Sequence, residues 1–343
     1  MSNRFERILT KALEAPHNIP VSDLAGMLVH FADDGFDADL FAAAREVKVK
    51  YGKSDVLPRG LIETSNVCAK DCLYCGIRRS NAKVARYRLV EEKVMDCVRE
   101  AVRRGYPAVA FQSGEVESEA NTCFYERVLR GLGGLGGLEG LEVTLSLGEQ
   151  TEEVYRRWKE AAGDRILRYL IRIETSNRNL FARIHPKECS FERRLGCIRT
   201  LKALGYVTGS GVMIGLPDQT YQDLAKDIVF FGEERLDMVG MGPYIPHPDT
   251  PLAKRIPLRP RPPKLDPDAS NRWAMTIVLR MIALTRLYLH NVNIVAATAL
   301  GALDPEHGRE RGIAAGANVV MPVLTPAACH AAYDLYPGKT AAR

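Results

Sequence analysis

Eight short apolar runs, separated for most of their length by amphipathic helical stretches, restrict the folds open to this chain. The runs are Leu61–Thr64, Ala108–Gln112, Glu142–Leu147, Leu167–Ile173, Val207–Ile214, Met238–Met241, Asn293–Ala297 and Asn318–Val320. Between them Glu91–Arg104, Ala120–Arg130, Glu152–Ala161, Phe191–Leu204, Gln219–Glu233 and Arg272–Leu289 carry apolar residues at helical spacing. Short strands alternating with helices of this length need crossover connections, so the sheet is predicted to be parallel. Eight strands in about 260 residues suit an α/β chain closed as a (β/α)8 TIM-type barrel. An open doubly wound sheet is the alternative, but no predicted strand runs into its glycine-rich turn.

Residues 1–55 read as helix only, with Val21–His30 and Ala38–Tyr51 the clearest stretches and Ser22 or Asp23 placed to cap the first. They are expected to form an N-terminal helical extension closing the bottom of a barrel that occupies residues 56–343 and ends in a short tail. Gly131–Leu141 is too glycine-rich for a firm helix, and it lacks the Gly-Lys-Ser/Thr of a phosphate loop. Pro257–Pro267 is proline-dense and predicts an extended surface loop; neither segment reads as a domain boundary.

The strand at Leu61 leads into Cys68, Cys72 and Cys75, three cysteines spaced Cys-x3-Cys-x2-Cys. Three such thiolates can hold three irons of a 4Fe-4S cube, leaving the fourth iron open to a small molecule. A zinc site asks for a fourth ligand, and no second Cys-x2-Cys or His-x3-His is present. A redox pair of Cys72 and Cys75 leaves Cys68 unexplained. Cys97, Cys123, Cys189, Cys197 and Cys329 are scattered and read as reduced, mostly buried thiols.

With 46% hydrophobic residues the chain can bury a sizeable core. Its net charge of +5, from 47 basic and 42 acidic residues, is small and dispersed, so it gives no case for nucleic acid or membrane as partner. Arg78-Arg79, Arg103-Arg104 and Arg193-Arg194 read as solvated helix faces. No apolar run approaches the ~18 residues of a spanning helix, and the charged start reads as no signal peptide. Reduced thiols and an oxygen-sensitive cluster together predict a cytoplasmic location.

Catalytic groups of a parallel barrel gather where its strands end. Strand 2 ends in Gln112-Ser113-Gly114-Glu115; strand 3 carries Thr144 and Ser146, then Gly148-Glu149. Strand 4 carries Arg172 and Glu174-Thr175-Ser176-Asn177, and strand 5 offers Gly211-Val212-Met213-Ile214-Gly215. Each alone reads equally as a turn, a helix cap or a close packing contact. Together they predict one shared site.

The cysteine spacing resembles the signature of the radical S-adenosylmethionine (SAM) superfamily, and further segments narrow the resemblance to the HydE family of FeFe-hydrogenase maturases. These are Arg86-Tyr87-Arg88, Gln112–Glu115, Thr144–Glu149, Met238–Pro243, Ile245–Leu252, Gly316–Pro322 and Tyr336–Lys339, so the likeness covers about four-fifths of the chain. It implies a 4Fe-4S cluster on Cys68, Cys72 and Cys75 as the catalytic centre. It implies SAM held by Tyr74, Glu115, Ser146, Glu174, Arg194 and Met213. An inner cavity would present Arg172, Thr144, Met238, Thr298 and Tyr336 to a small iron carbonyl-cyanide complex carrying cysteine. In that family the cluster's electron splits SAM into methionine and a 5'-deoxyadenosyl radical, which attacks the substrate's sulfur during assembly of the hydrogenase cluster. Implied partners are the maturases HydG upstream and HydF downstream, with ferredoxin or flavodoxin as electron donor.

Three departures from that pattern stand out. Ile173 replaces a histidine between the arginine and glutamate of strand 4, and Ala297-Thr298 keeps one of two adjacent threonines. The sequence also carries no cysteines at its end for an auxiliary cluster. Alternative readings are a paralogue acting on an amino acid, as methylornithine synthase or biotin synthase does, and a non-catalytic protein binding SAM or a cluster.

Arg172 lies two residues before Glu174, so an extended strand points both side chains inward. No acid is evident opposite Arg172 in the sequence. A buried arginine needs an anion, and the expectation is that Arg172 takes the substrate's carboxylate with help from Thr298.

Overall fold

A computed structural model describes residues 3–30, 35–133, 140–255 and 267–339. All of the loop predicted at Pro257–Pro267 except Pro267, which begins a helix, most of that at Gly131–Leu141 and the last four residues lie outside these ranges. Eight parallel strands close into one barrel in chain order: β1 Leu57–Ser65, β2 Ala108–Ser113, β3 Glu142–Ser146, β4 Leu167–Leu170, β5 Val207–Ile214, β6 Met238–Pro243, β7 Asn293–Ala296 and β8 Val319–Val320. Every predicted strand is present. β1 closes the ring by pairing Leu57 with Val319 and Pro58 with Val320.

Thirteen helices surround the barrel among the described residues. They are α1 Asn3–Glu14, α2 Val21–Val29, α3 Phe36–Lys50, α4 Glu91–Arg103, α5 Glu119–Gly133, α6 Glu152–Ala162 and α7 Arg178–Ile184, followed by α8 Phe191–Ala203, α9 Tyr221–Glu233, α10 Pro267–Leu289, α11 Leu300–Leu303, α12 Gly308–Ala314 and α13 Ala327–Ala332. Apolar faces of the long helices pack on the outer side of the strands, where Trp158, Tyr155, Tyr169 and Phe231 are fully enclosed. Burying side chains of this size contributes about 1.5–3 kcal/mol each, which is what holds helix against sheet.

The N-terminal helices depart from expectation in two ways. α3 reaches the lower rim, where Lys48 Nζ donates to Ile313 O at 3.3 Å, but α2 packs on the flank against α9. α2 starts at Val21 as predicted, but Pro20 is its N-cap and neither Ser22 nor Asp23 caps it. Proline's fixed φ presets the first turn without a side-chain bond.

β4 stops at Leu170, short of the predicted Ile173. Beyond it Glu174 adopts φ +66 and bridges Val212 of β5, donating its N–H to Gly211 O at 2.9 Å. A positive φ in a residue with a Cβ is costly and persists only where surrounding contacts impose it. Here they do so from α9. Buried Asp227 accepts both the N–H and the hydroxyl of Ser176 at 2.6 Å, and Asn177 caps α7 while donating to Asp223 at 2.8 Å. The strand end is a braced corner.

Candidate active site

The upper mouth of the barrel opens into a cavity of about 330 Å³. Its walls carry Cys68, Cys72, Tyr74, Cys75, Glu115, Thr144, Ser146, Arg172, Glu174, Arg194, Met213, Thr298 and Tyr336. Of the residues that the resemblance assigns to cluster, cofactor or substrate, Met238 alone is elsewhere. As the first residue of β6 it sits low in the barrel, where its sulfur accepts from Arg59 Nη1 at 3.0 Å; Gly240 and Gly242, further up the strand, line the cavity instead. Ile173 packs into the hydrophobic core with its N–H on Ser210 Oγ at 3.1 Å, so this departure faces away from the cavity, while Ala297 lines it.

The cysteine loop is braced on several sides. Asn66, fully buried, donates to Ala85 O at 2.9 Å and to Ala332 O at 2.7 Å. Glu115 N–H donates to Cys68 Sγ at 3.3 Å, and Ala69 N–H to Glu115 O at 2.8 Å. That approach requires Gly114, because a Cβ there would stand 2.3 Å from Val67 O. Gly211 is needed for a different reason: its Cβ would meet Gly240 O at 1.8 Å, so β5 and β6 could not pair.

His247, from the proline-histidine run, donates Nε2 to Asp334 at 3.0 Å and accepts from Asp249 N–H on Nδ1 at 3.1 Å. Gly76 N–H bonds Leu335 O at 3.1 Å. Cysteine loop, histidine run and C-terminal segment thus form one closure over the barrel.

Two carboxylate–guanidinium assemblies cross the mouth. Arg172 gives Nε and Nη2 to Glu174 at 2.9–3.0 Å and Nη2 to Val212 O at 2.8 Å. This corrects the expectation that Arg172 lacks a partner: the turn after β4 brings Glu174 back against it. Arg194 gives Nε to Glu149 at 2.5 Å and Nη1 to Arg172 O at 2.8 Å, with Glu115 3.7 Å away. It is buried, so of the Arg193-Arg194 pair only Arg193 keeps the solvated position expected for both. Lys70, inside the cysteine motif, lies 3.1 Å from Glu115 and 3.7 Å from Glu149.

Burial lowers both Lys70 and Arg194 affinity for protons, but the neighbouring carboxylates outweigh it and hold both cations above their usual range. Glu115 moves up, because burial outweighs its two cations. His185 is driven down to about 3 by burial and by Arg194; it stays neutral, bonding Phe181 O through Nδ1 at 2.9 Å and Tyr74 OH through Nε2 at 3.2 Å.

The sequence pattern marked out neither Lys70 nor His185, nor a buried cluster beside the cavity. There Glu63, 1% exposed on β1, pairs with His330 Nδ1 at 2.7 Å and Lys339 Nζ at 2.5 Å. A carboxylate inside an apolar strand just before the cysteines was the available signal. Cys189 was placed among the scattered thiols, yet it neighbours Cys72 closely enough for the two thiols to perturb one another.

The residues fit a cube-type cluster and a polar cofactor. Cys68, Cys72 and Cys75 are free thiols, half-buried on one wall. Burial raises Cys68 and Cys75, the latter to about 12, and the neighbouring Cys189 together with burial raises Cys72; a bound metal cation favours the thiolate form of such groups. Among the described residues no three His, Cys, Asp or Glu side chains converge on a single-ion site. Thr144 Oγ1 faces the cavity buried and without a partner, as a group awaiting a polar ligand does. Among the described residues no helix is long and apolar enough to cross a membrane.

Residues 62–231 match the Radical SAM superfamily. The chain is 44% identical over 307 residues to the [FeFe] hydrogenase maturase subunit HydE of Thermotoga maritima, an alignment that spans 90% of this chain and 81% of that protein. Among solved structures it superposes on methylornithine synthase with a TM-score of 0.76 at 20% identity, covering 92% of this chain and 85% of that one. The maturase HydG of Carboxydothermus hydrogenoformans gives 0.73 at 19% identity, covering 93% and 71%. At these identities the two structures speak for the fold alone.

Proposed function

The chain belongs to the HydE family of radical SAM enzymes, a family that implies a 4Fe-4S cluster and SAM, and from this we propose that it acts in maturation of an FeFe-hydrogenase. The observation that carries the reading is that three thiols, a cation–carboxylate network and an enclosed inner chamber share one cavity. Cys68, Cys72 and Cys75 would ligate the cluster. When bound and reduced, the cluster supplies the electron that cleaves SAM to methionine and a 5'-deoxyadenosyl radical.

The surrounding side chains bind and orient. Glu115, its charge set by Lys70 and Arg194, receives an ammonium; Arg194, anchored on Glu149, receives a carboxylate. Glu174 accepts ribose hydroxyls, Ser146 adds a hydroxyl, and Tyr74 with Met213 flanks the adenine. Tyr74 keeps its orientation through the neutral His185. Deeper in, Arg172, Thr144, Thr298 and Tyr336 face the substrate; Thr298 and Tyr336 hydroxyls are 3.0 Å apart and hold one another in place. A carboxylate-bearing substrate competes with Glu174 for the Arg172 fork. The enclosed chamber keeps water and stray hydrogen donors from a radical.

The substrate is a small iron carbonyl-cyanide complex carrying cysteine, delivered by HydG, and the product passes to HydF. The test is maturation: cells producing an FeFe-hydrogenase with HydF, HydG and this protein should evolve hydrogen. No activity, where Thermotoga HydE supports it in the same cells, overturns the assignment.

A further inference from the structure

Between Cys72 and Glu91 the chain carries five basic residues and no acidic one. The pair Arg78-Arg79 reads from sequence as a solvated helix face, but the segment is not helical. It wraps the outer side of the cysteine loop. Arg78 N–H donates to Cys75 O at 3.2 Å and Arg79 N–H to Lys70 O at 2.9 Å. The Arg86 guanidinium reaches four carbonyls, those of Asn66 (2.7 Å), Ile77 (2.8 Å), Arg78 (2.6 Å) and Asn81 (3.3 Å), and so ties the segment to both ends of the loop.

The charges are only partly neutralised. Arg78 is taken by Asp71 at 2.7 Å and Lys83 by Asp249 at 2.5 Å, though the Lys83 side chain is 76% exposed. Arg79, 61% exposed, has its carboxylate, Glu188, at 3.7 Å. Arg86 and Arg88 are exposed; the first bonds only carbonyls and the second the Asn121 amide oxygen at 3.1 Å. A positive face therefore lies directly outside the cysteines.

Access from the inside is shut off. The inner side of the loop faces the cavity that cofactor and substrate fill, and the C-terminal segment seals it through Asn66 to Ala332 O at 2.7 Å and Gly76 to Leu335 O at 3.1 Å. An electron bound for the cluster must come from the outer side, across the basic segment.

We propose that residues 76–88 form the docking face for a small one-electron carrier protein with an acidic surface. The proposal rests on the cluster assignment above. The carrier is oxidised by one electron and the cluster reduced by one; no bond or proton moves. Exposed charges of opposite sign steer such an encounter and raise its rate by about 10- to 1,000-fold at low salt.

The experiment uses anaerobically reconstituted protein, reduced flavodoxin as the carrier, and photoreduced deazaflavin as a small reductant that needs no docking face. Bleaching of the cluster's visible absorption gives the rate, and calorimetry gives the affinity for oxidised flavodoxin. Arg79→Glu/Lys83→Glu should slow flavodoxin-driven reduction about tenfold or more at low salt and weaken binding in step. Both differences should fade toward 1 M salt, where the screening length is about 3 Å. Lys226→Glu, an exposed reversal on α9, should change neither. Unchanged flavodoxin rate and affinity in the double variant, or an equal loss in Lys226→Glu, overturns the docking face. Failure of deazaflavin to reduce the wild type would instead overturn the cluster assignment.

Discussion

Replacing Glu174 by Gln tests the corner after β4. In the structure this carboxylate takes three hydrogen bonds from Arg172, at 2.9–3.0 Å. Glutamine keeps one acceptor and no charge, so both Arg172 and an incoming ribose lose an anionic partner. A hydrogen bond to a charged group contributes about 1.5–3 kcal/mol. The Arg172 side chain is 30% open to the cavity, so solvent screening puts the folding cost at about the lower end of that range. On SAM, held in a more enclosed site, the full range corresponds to about ten- to hundredfold in affinity. The assay is calorimetric titration of reconstituted protein with SAM, beside urea denaturation of the same sample. Arg172→Gln completes the comparison: it frees Glu174, so it should cost stability while leaving SAM affinity within about threefold of wild type. Unchanged SAM affinity in Glu174→Gln, with iron content and fold intact, refutes the placement of the cofactor. Equal loss of affinity in both variants would show that the pair acts only as a structural brace.

Four further outcomes are expected. Changing Cys68, Cys72 and Cys75 together to Ala should abolish iron binding measured by metal analysis, whereas changing Cys97, Cys123, Cys197 and Cys329 to Ser should leave it near wild type. Arg172→Lys keeps charge but loses the fork; it should still cleave SAM slowly in product assays while losing the stimulation given by the true substrate. Lys339→Met leaves buried Glu63 with only His330; removing one partner of a buried pair costs about 3–5 kcal/mol, readable as a lower urea midpoint and faster carboxypeptidase digestion of the C-terminal segment. Burial raises Asp227 to about 7 from the ordinary 3.8, so the folded state holds this proton more tightly than the unfolded chain. Its contribution is therefore full below pH ~4 and lost as pH rises through ~7. Asp227→Asn should flatten that slope, gaining stability relative to wild type at pH 8 compared with pH 5 in urea titrations.

The strands were legible because each is an apolar run bounded by turn residues, and the barrel followed from their number and alternation. What local pattern could not show was anything decided across the sheet. β4 reads as continuing to Ile173, yet Ser210 and Gly211 of β5 take the Ile173 and Glu174 N–H groups and turn the chain away. The same turn pairs Arg172 with Glu174, a meeting that a straight strand does not suggest. The cysteine spacing located one wall of the site, and strand-end positions located most of the rest. Met238 was misplaced because membership of a strand does not give height in the barrel. Lys339 and His330 were missed because their partner, Glu63, lies more than a hundred residues away in sequence.

Reductive cleavage of SAM is the activity proposed for the three cysteines and the carboxylate–guanidinium network of the cavity. The measurement that tests it most directly is quantification of 5'-deoxyadenosine and methionine after anaerobic reduction of reconstituted protein with SAM. Equal amounts of both from the wild type, and neither from the triple cysteine variant, are the predicted result. A protein that carries four irons and binds SAM, yet yields neither product under a reductant that reduces its cluster, would contradict the account.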